Sequence, residues 1–440
     1  MFYYTLENLE KLISYEKESF VLVENKFSRN RLMPFGDMTH SIVGNTGKST
    51  VNELDGFFEI KYGDDRMPIS KQGYFNQRLY LDPEIFKETM RRSLTGIYSE
   101  RKEDLSNFKG FNVLAVDGSE VMLPNTEKTR KDFEVELRAL KKTDSPKARV
   151  SMISDVKNEF IIDSVIAPYS TGEQPLAYLN IEEASNIIDL TKSIVIFDRL
   201  YASTELIVQL LSKNSLFIFR LKKSIYKKER KRMKTDDEYV DINLNAGRTS
   251  SIKNEEIKEK AKELGSLNLR IVNIELETGG IETLLTNLPP EIASSEELKE
   301  LYGERWGIER GYDVLKNKIE IENFSGKSKL IIEQDFYAQC LMYNLLISLK
   351  IELNKKIKKI KKFKDCEYKY KINMSILTGK LKFKLFYFIF ARDEDERAKI
   401  MKGIEKTAER YLIKEKKKVK NYRNGKKSKK KYTYNNKRNF

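Results

Sequence analysis

The stretch FNVLAVDGSEVML, residues 111–123, is apolar until Asp117 interrupts it. Its run from Val113 to Val116 predicts a buried strand, and the polar residues that follow place Asp117 where the strand leaves the core. A second stretch, SIVIFDRLYAS at residues 193–203, repeats this pattern with Asp198. Taken alone, either aspartate is more typical of a loop cap that accepts backbone N–H groups. Two of them on one sheet predict a cleft in which carboxylates hold hard cations such as Mg²⁺.

Further strand-like segments surround this pair. Residues 148–156 and 159–167 predict a hairpin, and SLFIFRLKK at 215–223 predicts another strand. The order is three strands, a helix, a strand, a helix and a strand. This order predicts an α/β domain with a mixed sheet.

The regions outside this core differ in pattern. Residues 1–105 carry apolar positions at helical spacing, with predicted helices at Thr5 to Glu18 and Pro83 to Ser99. The core is predicted to span 106–350, with a β-rich insertion at about 224–293. The last region, 351–440, is predicted to be helical and to end in a lysine-rich tail. Two further helices are predicted, at Ser294 to Asn317 and at Lys329 to Lys356.

Charge and residue usage narrow the function. The chain has 82 Lys and Arg against 66 Asp and Glu, so its net charge of +16 favours a polyanionic partner such as nucleic acid. Cys340 and Cys366 lack the paired spacing of a disulfide framework or a zinc site, and we interpret Cys340 as a core residue. The single histidine, His40, argues against Ser-His-Asp and Cys-His chemistry. Neither a secretory signal nor a long apolar run is visible, so a cytoplasmic location without membrane contact is expected.

Two basic segments are candidates for contact with nucleic acid. In MPISKQGYFNQRLYLDPEIF, residues 67–86, Ser70 is predicted to cap a short helix. That helix carries side chains suited to base edges and phosphates, namely Lys71, Gln72, Asn76 and Arg78. Residues 1–105 are therefore interpreted as a helical DNA-binding domain, although an ordinary polar surface helix would read the same way. The tail from Lys414 mixes basic residues with aromatic ones, which predicts either sequence-independent phosphate binding or a solubilising tail.

The segment LYGERWGIERGYDVLKNKIEIENFSG, residues 301–326, carries a second set of chemical groups. On a regular helix Tyr302, Arg305, Glu309 and Lys316 fall within an arc of about 60°. A carboxylate among cations and a phenol suits a phosphodiester: Glu309 for metal, the other three for phosphate oxygens. The alternative is a solvated helix face stabilised by the Arg305–Glu309 pair.

The same four residues resemble a known signature. Tyr, two residues, Arg, three residues, Glu, six residues and Lys is the motif of the insertion-sequence-four family of DDE transposases, and this chain matches every position. The segments LLTNLP, FSGKS, EQDFYAQCLMYNL, AVDGSEVMLP and FDRLYAS resemble the same family, so the likeness covers about residues 66–350. Leu200 is one departure, because the family often has glycine there. Some relatives stack an inserted tryptophan on a flipped base, a role not carried over to Trp306, which lies inside the signature helix.

The resemblance implies a ribonuclease-H-like catalytic core with a β-rich insertion. Asp117, on the first strand, Asp198, after the fourth, and Glu309 would be both the catalytic residues and the ligands of Mg²⁺, with two ions expected and Mn²⁺ as a substitute. The implied reaction is cut-and-paste DNA transposition. Expected partners are double-stranded DNA, as terminal inverted repeats and target, and a second copy of the chain, on the nucleoid of a bacterial cell.

Two other functional hypotheses remain open at the level of sequence. One is a domesticated or defective descendant that nicks DNA without transposing. The other is a catalytically inactive, basic DNA-binding protein on an old transposase scaffold. The three intact carboxylates argue against the last, since a binding protein has no need to keep acids that repel DNA.

Overall fold

The computed structural model describes residues 1–28, 32–63, 68–134, 146–276, 279–359 and 370–414. The chain divides into two compact units. The first comprises Met1–Ser93, Val121–Ala148 and Asp313–Phe440, and the second comprises Leu94–Glu120 and Arg149–Tyr312. The functional boundaries expected at 105 and 350 stay a prediction.

Helices and strands account for most of the described chain. The helices are α1 Phe2–Tyr15, α2 Phe35–Val43, α3 Thr50–Tyr62, α4 Lys71–Arg78, α5 Glu84–Glu100, α6 Glu127–Asp132, α7 Glu173–Ile187, α8 Thr204–Ser212, α9 Lys227–Arg232, α10 Ala246–Thr249, α11 Glu255–Leu264, α12 Ser295–Glu304, α13 Trp306–Val314, α14 Lys329–Lys359, α15 Met374–Ile389 and α16 Glu394–Arg410. The strands are β1 Asn112–Met122, β2 Lys147–Asp155, β3 Ile161–Pro168, β4 Ser193–Phe197, β5 Leu216–Arg220, β6 Asp237–Asn243, β7 Ser266–Glu275, β8 Ile281–Thr286, β9 Tyr370–Lys371 and β10 Ile413–Lys414.

The second unit is built around an eight-stranded sheet in the order β3-β2-β1-β4-β5-β8-β7-β6. β4 pairs in parallel with both β1 and β5, whereas β8 joins β5 antiparallel and is followed by antiparallel β7 and β6. The predicted mixed-sheet α/β class is confirmed. The order 3-2-1-4-5 of the first five strands is that of a ribonuclease-H-like core, and the predicted β-rich segment supplies the three strands that extend it.

The strands at the centre of this sheet are buried because they are apolar. All five residues of β4 are buried, as are Val113 to Val116 of β1. The rings of Phe197 on β4 and Phe219 on β5 stack with centroids 4.4 Å apart. Burying such a side chain contributes about 1.5–3 kcal/mol, so these strands form the rigid base from which polar residues project.

The first unit is helical in its described part, apart from short strand pairs. α14 is buried almost continuously from Phe336 to Leu349, and Cys340 lies fully buried within it, as predicted. Within the described residues no helix combines the length and the apolar character needed to cross a bilayer. The tail from residue 415 lies outside the described residues.

Several predicted elements differ in their ends. The helix expected from Thr5 ends at Tyr15 and is followed by a 3₁₀ turn at Lys17–Phe20. The helix expected at 294–317 is divided into α12, α13 and a π-helical turn at Leu315–Ile319. Three glycines lower helix propensity in this segment. Gly307 also packs against the next layer, since a Cβ there would lie 2.9 Å from Cβ of Val156.

Candidate active site

The two predicted aspartates lie side by side at one level of the sheet. In the parallel ladder of β1 and β4, Val116 faces Phe197, and the next residues are Asp117 and Asp198. The ladder of β4 and β5 pairs Phe197 with Phe219, so Arg220 follows at the same level. Side chains at one register position of adjacent strands share a face. Two carboxylates and one guanidinium therefore stand in a row where the buried apolar runs end, although β1 itself continues past Asp117 to Met122.

The third carboxylate comes from the helices after β8. The Tyr302 hydroxyl on α12 donates to Oδ1 of Asp198 at 3.3 Å. Arg305, between α12 and α13, donates from Nη2 to Oε1 of Glu309 at 3.2 Å, and its Nη1 lies 3.8 Å from Oδ2 of Asp117. The structure thus brings Asp117, Asp198, Tyr302, Arg305 and Glu309 together, as the sequence predicts.

Arg305 is the central cation of this group. Its side chain is only 7% exposed, and among the described residues its buried Nε has no hydrogen-bond partner. Burial opposes the charge of Arg305, but Tyr302 and the surrounding carboxylates outweigh it and raise the pKa of the guanidinium. The guanidinium also lies 5.2 Å from the ring centre of Trp306, whose side chain is 46% exposed. Arg305 is consequently held as a charged group between acids, with a donor still available.

Burial and neighbouring acids act in the opposite direction on Asp117. Desolvation raises its pKa to about 6 from the usual 3.8, Arg305 and the Gly118 amide oppose that rise, and Glu309 and Glu173 add to it. The Gly118 N–H donates to Oδ1 of Asp117 at 3.0 Å. The ionised form of Asp117 is therefore under strain that a bound cation would relieve.

The donor set fits a divalent cation. No three His, Cys, Asp or Glu side chains in the described part of the chain approach closely enough to form a metal site together. Mg²⁺ does not require three, because it keeps most of its waters and is commonly held by one or two carboxylates. Asp117 and Asp198 supply two at one level of the sheet, and Glu309 is tied to them through Arg305. Oxygen donors of this kind suit Mg²⁺ or Mn²⁺.

A further layer surrounds Asp117. The Tyr312 hydroxyl donates to the main-chain oxygen of Asp117 at 2.9 Å. Arg149 on β2 donates from Nη1 to Oε1 of Glu173 at 3.2 Å. Burial first, and then Asp117 and Glu173, raise the pKa of Tyr201 far above its usual range, although its Oη has no hydrogen bond of regular geometry among the described residues. These groups fix the backbone and the charge around the first aspartate.

Sequence reasoning missed Arg220 and Glu282. Nε of Arg220 donates to Oε1 of Glu282 at 3.0 Å, and Nη1 of Arg220 lies 4.0 Å from Oδ1 of Asp198. The available signal was the position of Arg220 after SLFIF, which matches the positions of both aspartates after their apolar runs. Glu282, on antiparallel β8, carried no comparable signal.

Other predicted site residues lie in the first unit. Lys316 is part of the π-helical turn after α13. α4 begins after Ser70, whose hydroxyl accepts the Gly73 N–H as predicted. Lys71, Gln72 and Asn76 are exposed on it.

The prediction that Arg78 contacts DNA is corrected by the structure. Its side chain is 1% exposed, with Nη2 2.8 Å from Oδ1 of Asp335 and Nε donating to Oε1 of Gln334 at 2.8 Å. The structure gives this arginine an internal role, because a guanidinium enclosed in this way cannot reach DNA.

A family model for the transposase DDE domain matches residues 109–345, more than half of the chain. The chain belongs to this family of DDE transposases. The matched part of the DDE domain contains all three carboxylates and the helices that carry Tyr302 and Arg305.

The comparison with curated proteins gave no match. One similar solved structure is the cryo-EM structure of the piggyBac transposase synaptic complex with hairpin DNA. The two share 12% identity at a TM-score of 0.44, over 91% of this chain and 85% of that chain.

Replacing Asp117 by Asn is expected to stabilise the metal-free DDE domain at pH 8. Since the folded-state pKa is about 6 and the usual value is 3.8, the unfolded chain ionises first as pH rises. Folding stability therefore falls between about pH 4 and pH 6, by about 3 kcal/mol at most, and asparagine removes this loss. The melting temperature of Asp117→Asn in chelator should exceed that of wild type by several degrees at pH 8 and equal it at pH 4.

The matched control for this experiment is Glu263→Gln, which changes an exposed carboxylate on α11 of the same unit. It should melt like wild type at both pH values. A melting temperature of Asp117→Asn at or below that of wild type at pH 8 would show that burial does not strain the aspartate.

Proposed function

We propose that this DDE transposase is the transposase of an insertion sequence, of the insertion-sequence-four group, that cuts element ends and joins them to target DNA. The observation that carries the proposal is the row of Asp117 and Asp198 on adjacent parallel strands, with Glu309 tied to it through Arg305. Burial raises the pKa of Asp117 to about 6, so keeping this carboxylate ionised is costly to folding, and a purely structural role does not account for that cost.

In this proposal Asp117, Asp198 and Glu309 hold divalent cations, expected to be two Mg²⁺, for which Mn²⁺ can substitute. Such ions, when bound, lower the pKa of a water and stabilise charge on the leaving oxygen. The chain's own task is to keep three oxygen ligands on a rigid base. The buried strands β1 and β4 provide that base for Asp117 and Asp198.

The cations around the acids have a separate task. Arg305 presents a planar guanidinium that can fork onto two phosphate oxygens, and the 7% exposure of its side chain limits the water that would screen its charge. Tyr302 is a hydroxyl donor, and burial raises its pKa to about 12, so it keeps its proton at neutral pH. Lys316 is proposed as a further phosphate contact. Arg220 would add positive charge on the side of Asp198.

Two successive displacements at phosphorus complete the proposed reaction. In the first, water attacks a phosphodiester at the element end, a P–O bond breaks, and the 3′ oxygen leaves as a hydroxyl. In the second, that 3′-OH attacks a phosphodiester of target DNA, a new P–O bond forms, and a 3′-OH of the target is released. The first step is an exergonic hydrolysis and the second exchanges one phosphodiester for another, so neither step needs an added energy source.

The proposed partners follow from this reaction. They are double-stranded DNA with terminal inverted repeats, a target duplex, and a second copy of the chain, since two ends must be cut and joined together. The proposed setting is the nucleoid of a bacterial cell. A net charge of +16 supports association with DNA.

The test uses a duplex made from the DNA that flanks the reading frame. The full chain is incubated with labelled duplex and an unlabelled plasmid in Mg²⁺, Mn²⁺ or chelator. The expected result is a 3′-OH nick at the element end and label joined to the plasmid, both dependent on the metal. Specific binding without a nick or joined product would favour the inactive, DNA-binding alternative.

Arg305→Ala is expected to reduce cleavage about 100-fold while the dissociation constant for element-end DNA changes less than about threefold. Removing one donor at a site of developing charge costs a factor of about 10² to 10³ in rate, whereas one phosphate contact among many contributes little affinity. Cleavage rates at saturating DNA and separate binding titrations measure the two effects. Lys316→Ala should behave in the same direction.

The control for Arg305 is Arg232→Ala on α9, an exposed arginine in the same unit. It should leave the cleavage rate at saturating DNA unchanged. If Arg305→Ala instead lowered affinity and rate by the same factor, Arg305 would be an ordinary backbone contact.

A further inference from the structure

α4 is anchored from its inner side. Tyr74 and Arg78 are its buried residues, and Gln334 on α14 donates to the main-chain oxygens of Arg78 at 2.8 Å and of Leu81 at 2.6 Å. Arg78 is thereby held at two points: its guanidinium forms an ion pair with Asp335, and its main-chain oxygen accepts from Gln334. α4 is therefore fixed on α14 with its outer face turned to solvent.

The same ion pair fixes the loop before α14. Nη1 of Arg78 donates to Oγ of Ser325 at 2.6 Å, and the Ser325 N–H donates to Oδ2 of Asp335 at 2.6 Å. Gly326 allows the loop to lie directly on α14, since a Cβ there would come within 2.5 Å of Cγ2 of Ile331. The loop at 325–328 and α4 are consequently two edges of one rigid structure.

A groove of about 370 Å³ separates these two edges. It is lined by Lys71, Phe75, Asn76 and Leu79 of α4, and by Gly326 and Lys327 of the loop. Both lysines are exposed. None of the described residues that line the groove is acidic, so its field is positive.

A second, wider groove lies against α4, with a volume of about 1050 Å³. Lys26, Ser28, Asn76, Gln77 and Tyr80 are among its lining residues, and the described lining again lacks Asp and Glu. Acidic residues make up 66 of the 440 positions of the chain, so two adjoining grooves whose described lining has lysines and no acid favour an anion. Asn76 borders both grooves.

We propose that α4 and the loop at 325–328 form one DNA-binding surface. Lys71 and Lys327 contact phosphates at the two edges of the first groove, and Gln72 and Asn76 face base edges. An α-helix with its side chains is about 10–12 Å in diameter, which fits the width of about 12 Å of a DNA major groove. A hydrogen bond of 3.0 Å from Gln72 to Asn76 holds both amides on the outer face. The inference rests on the proposed function, whose substrate is duplex DNA, and adds the loop to its contacts.

The test compares Lys71→Ala/Lys327→Ala with wild type on a 30-bp duplex of random sequence at several salt concentrations. Each lysine that leaves a phosphate should make the slope of log K against log salt shallower by about 0.9. We expect the double variant to lose about 1.8 in slope and about tenfold in affinity. The matched control is Lys399→Ala/Lys402→Ala, two exposed lysines of α16 in the same unit, which should keep the wild-type slope.

A second variant separates base contacts from phosphate contacts. Asn76→Ala should weaken binding to the duplex from the flanking DNA about tenfold and leave the random duplex unchanged, because the variant loses the amide hydrogen bonds that discriminate one base from another. Melting curves equal to that of wild type show that each variant is folded. If wild type cuts the flanking DNA but the double variant keeps the wild-type slope of log K against log salt, the proposed DNA-binding surface is wrong and the proposed function still stands.

A polyglutamate peptide serves as the competing probe. If the double variant loses affinity for polyglutamate but not for the duplex, the surface binds an acidic protein and the inference is wrong. If wild type binds the duplex through Lys71 and Lys327 yet never cuts flanking DNA, the surface is supported and the proposed function fails.

Discussion

Asp117→Ala, Asp198→Ala and Glu309→Ala should each reduce cleavage of element-end DNA by about 10³-fold or more, equivalent to about 4 kcal/mol of activation free energy. Each variant removes one carboxylate proposed as a metal ligand: Asp117 within β1, Asp198 directly after β4, or Glu309 on α13. The surface of α4 lies in the other unit and is untouched, so the dissociation constant for the duplex should change less than about threefold. Cleavage under single-turnover conditions and binding in chelator measure the two quantities.

The control is Glu300→Ala, which removes an exposed carboxylate from α12, the helix that carries Tyr302. It should cut DNA at the wild-type rate. Undiminished cleavage by any one of the three variants would remove that residue from the site.

Cysteine variants test whether Asp117 and Asp198 act by binding a metal ion. Thiolate is a softer ligand than carboxylate and binds Mn²⁺ better than Mg²⁺. Asp117→Cys and Asp198→Cys should therefore recover part of their activity in Mn²⁺ and none in Mg²⁺. Equal activity in the two metals would mean that these positions do not contact the ion.

Arg78→Ala is expected to destabilise the first unit by about 3–5 kcal/mol, because it leaves the Asp335 carboxylate buried without its partner. Asp335 is 5% exposed and Arg78 is 1% exposed, so water cannot replace the lost charge. The melting temperature should fall by roughly 10 °C. Lys71→Ala, on the exposed face of the same helix, should melt like wild type.

A double replacement distinguishes the ion pair from its packing. Arg78→Met/Asp335→Leu removes both charges at similar volume and should recover most of the lost stability. If Arg78→Ala instead kept the wild-type melting temperature and lost only sequence-specific binding, Arg78 would read bases, as the sequence first suggested.

The contrast between Arg78 and Asp117 shows which features of the site could be predicted from the sequence. Asp117 and Asp198 each follow an apolar run within a single segment, so their place where the buried part of a strand ends was predictable; that β1 continues past Asp117 to Met122 was not. Arg78 lies in a polar helix, and its partner Asp335 is 257 positions away, so nothing local separated a buried ion pair from a DNA contact. Register, which places Arg220 beside Asp198, is likewise a property of strand pairing that no single segment carries.

The signature helix shows a similar limit. The sequence pattern predicts one regular helix from Ser294 to Asn317. Tyr302, Arg305 and Glu309 still lie together although the helix is divided, because they are close in sequence. Lys316 lies beyond α13, in a π-helical turn whose hydrogen bonds join residues five apart, so the angle of 100° per residue no longer applies. Its grouping with the other three by helical phase therefore remains a prediction.

Asp117, Asp198 and Arg220 lie at the same register position of three neighbouring strands, and this determines which mutations would inactivate a copy of the gene. Exchanges among Ile, Val and Leu within the three strands cost about 1 kcal/mol each and leave the row in place. Loss of a single codon from one strand turns every later side chain of that strand to the opposite face. The constraint on these strands is thus on their length more than on their composition, and a one-codon deletion would silence a copy whose motifs all remain legible.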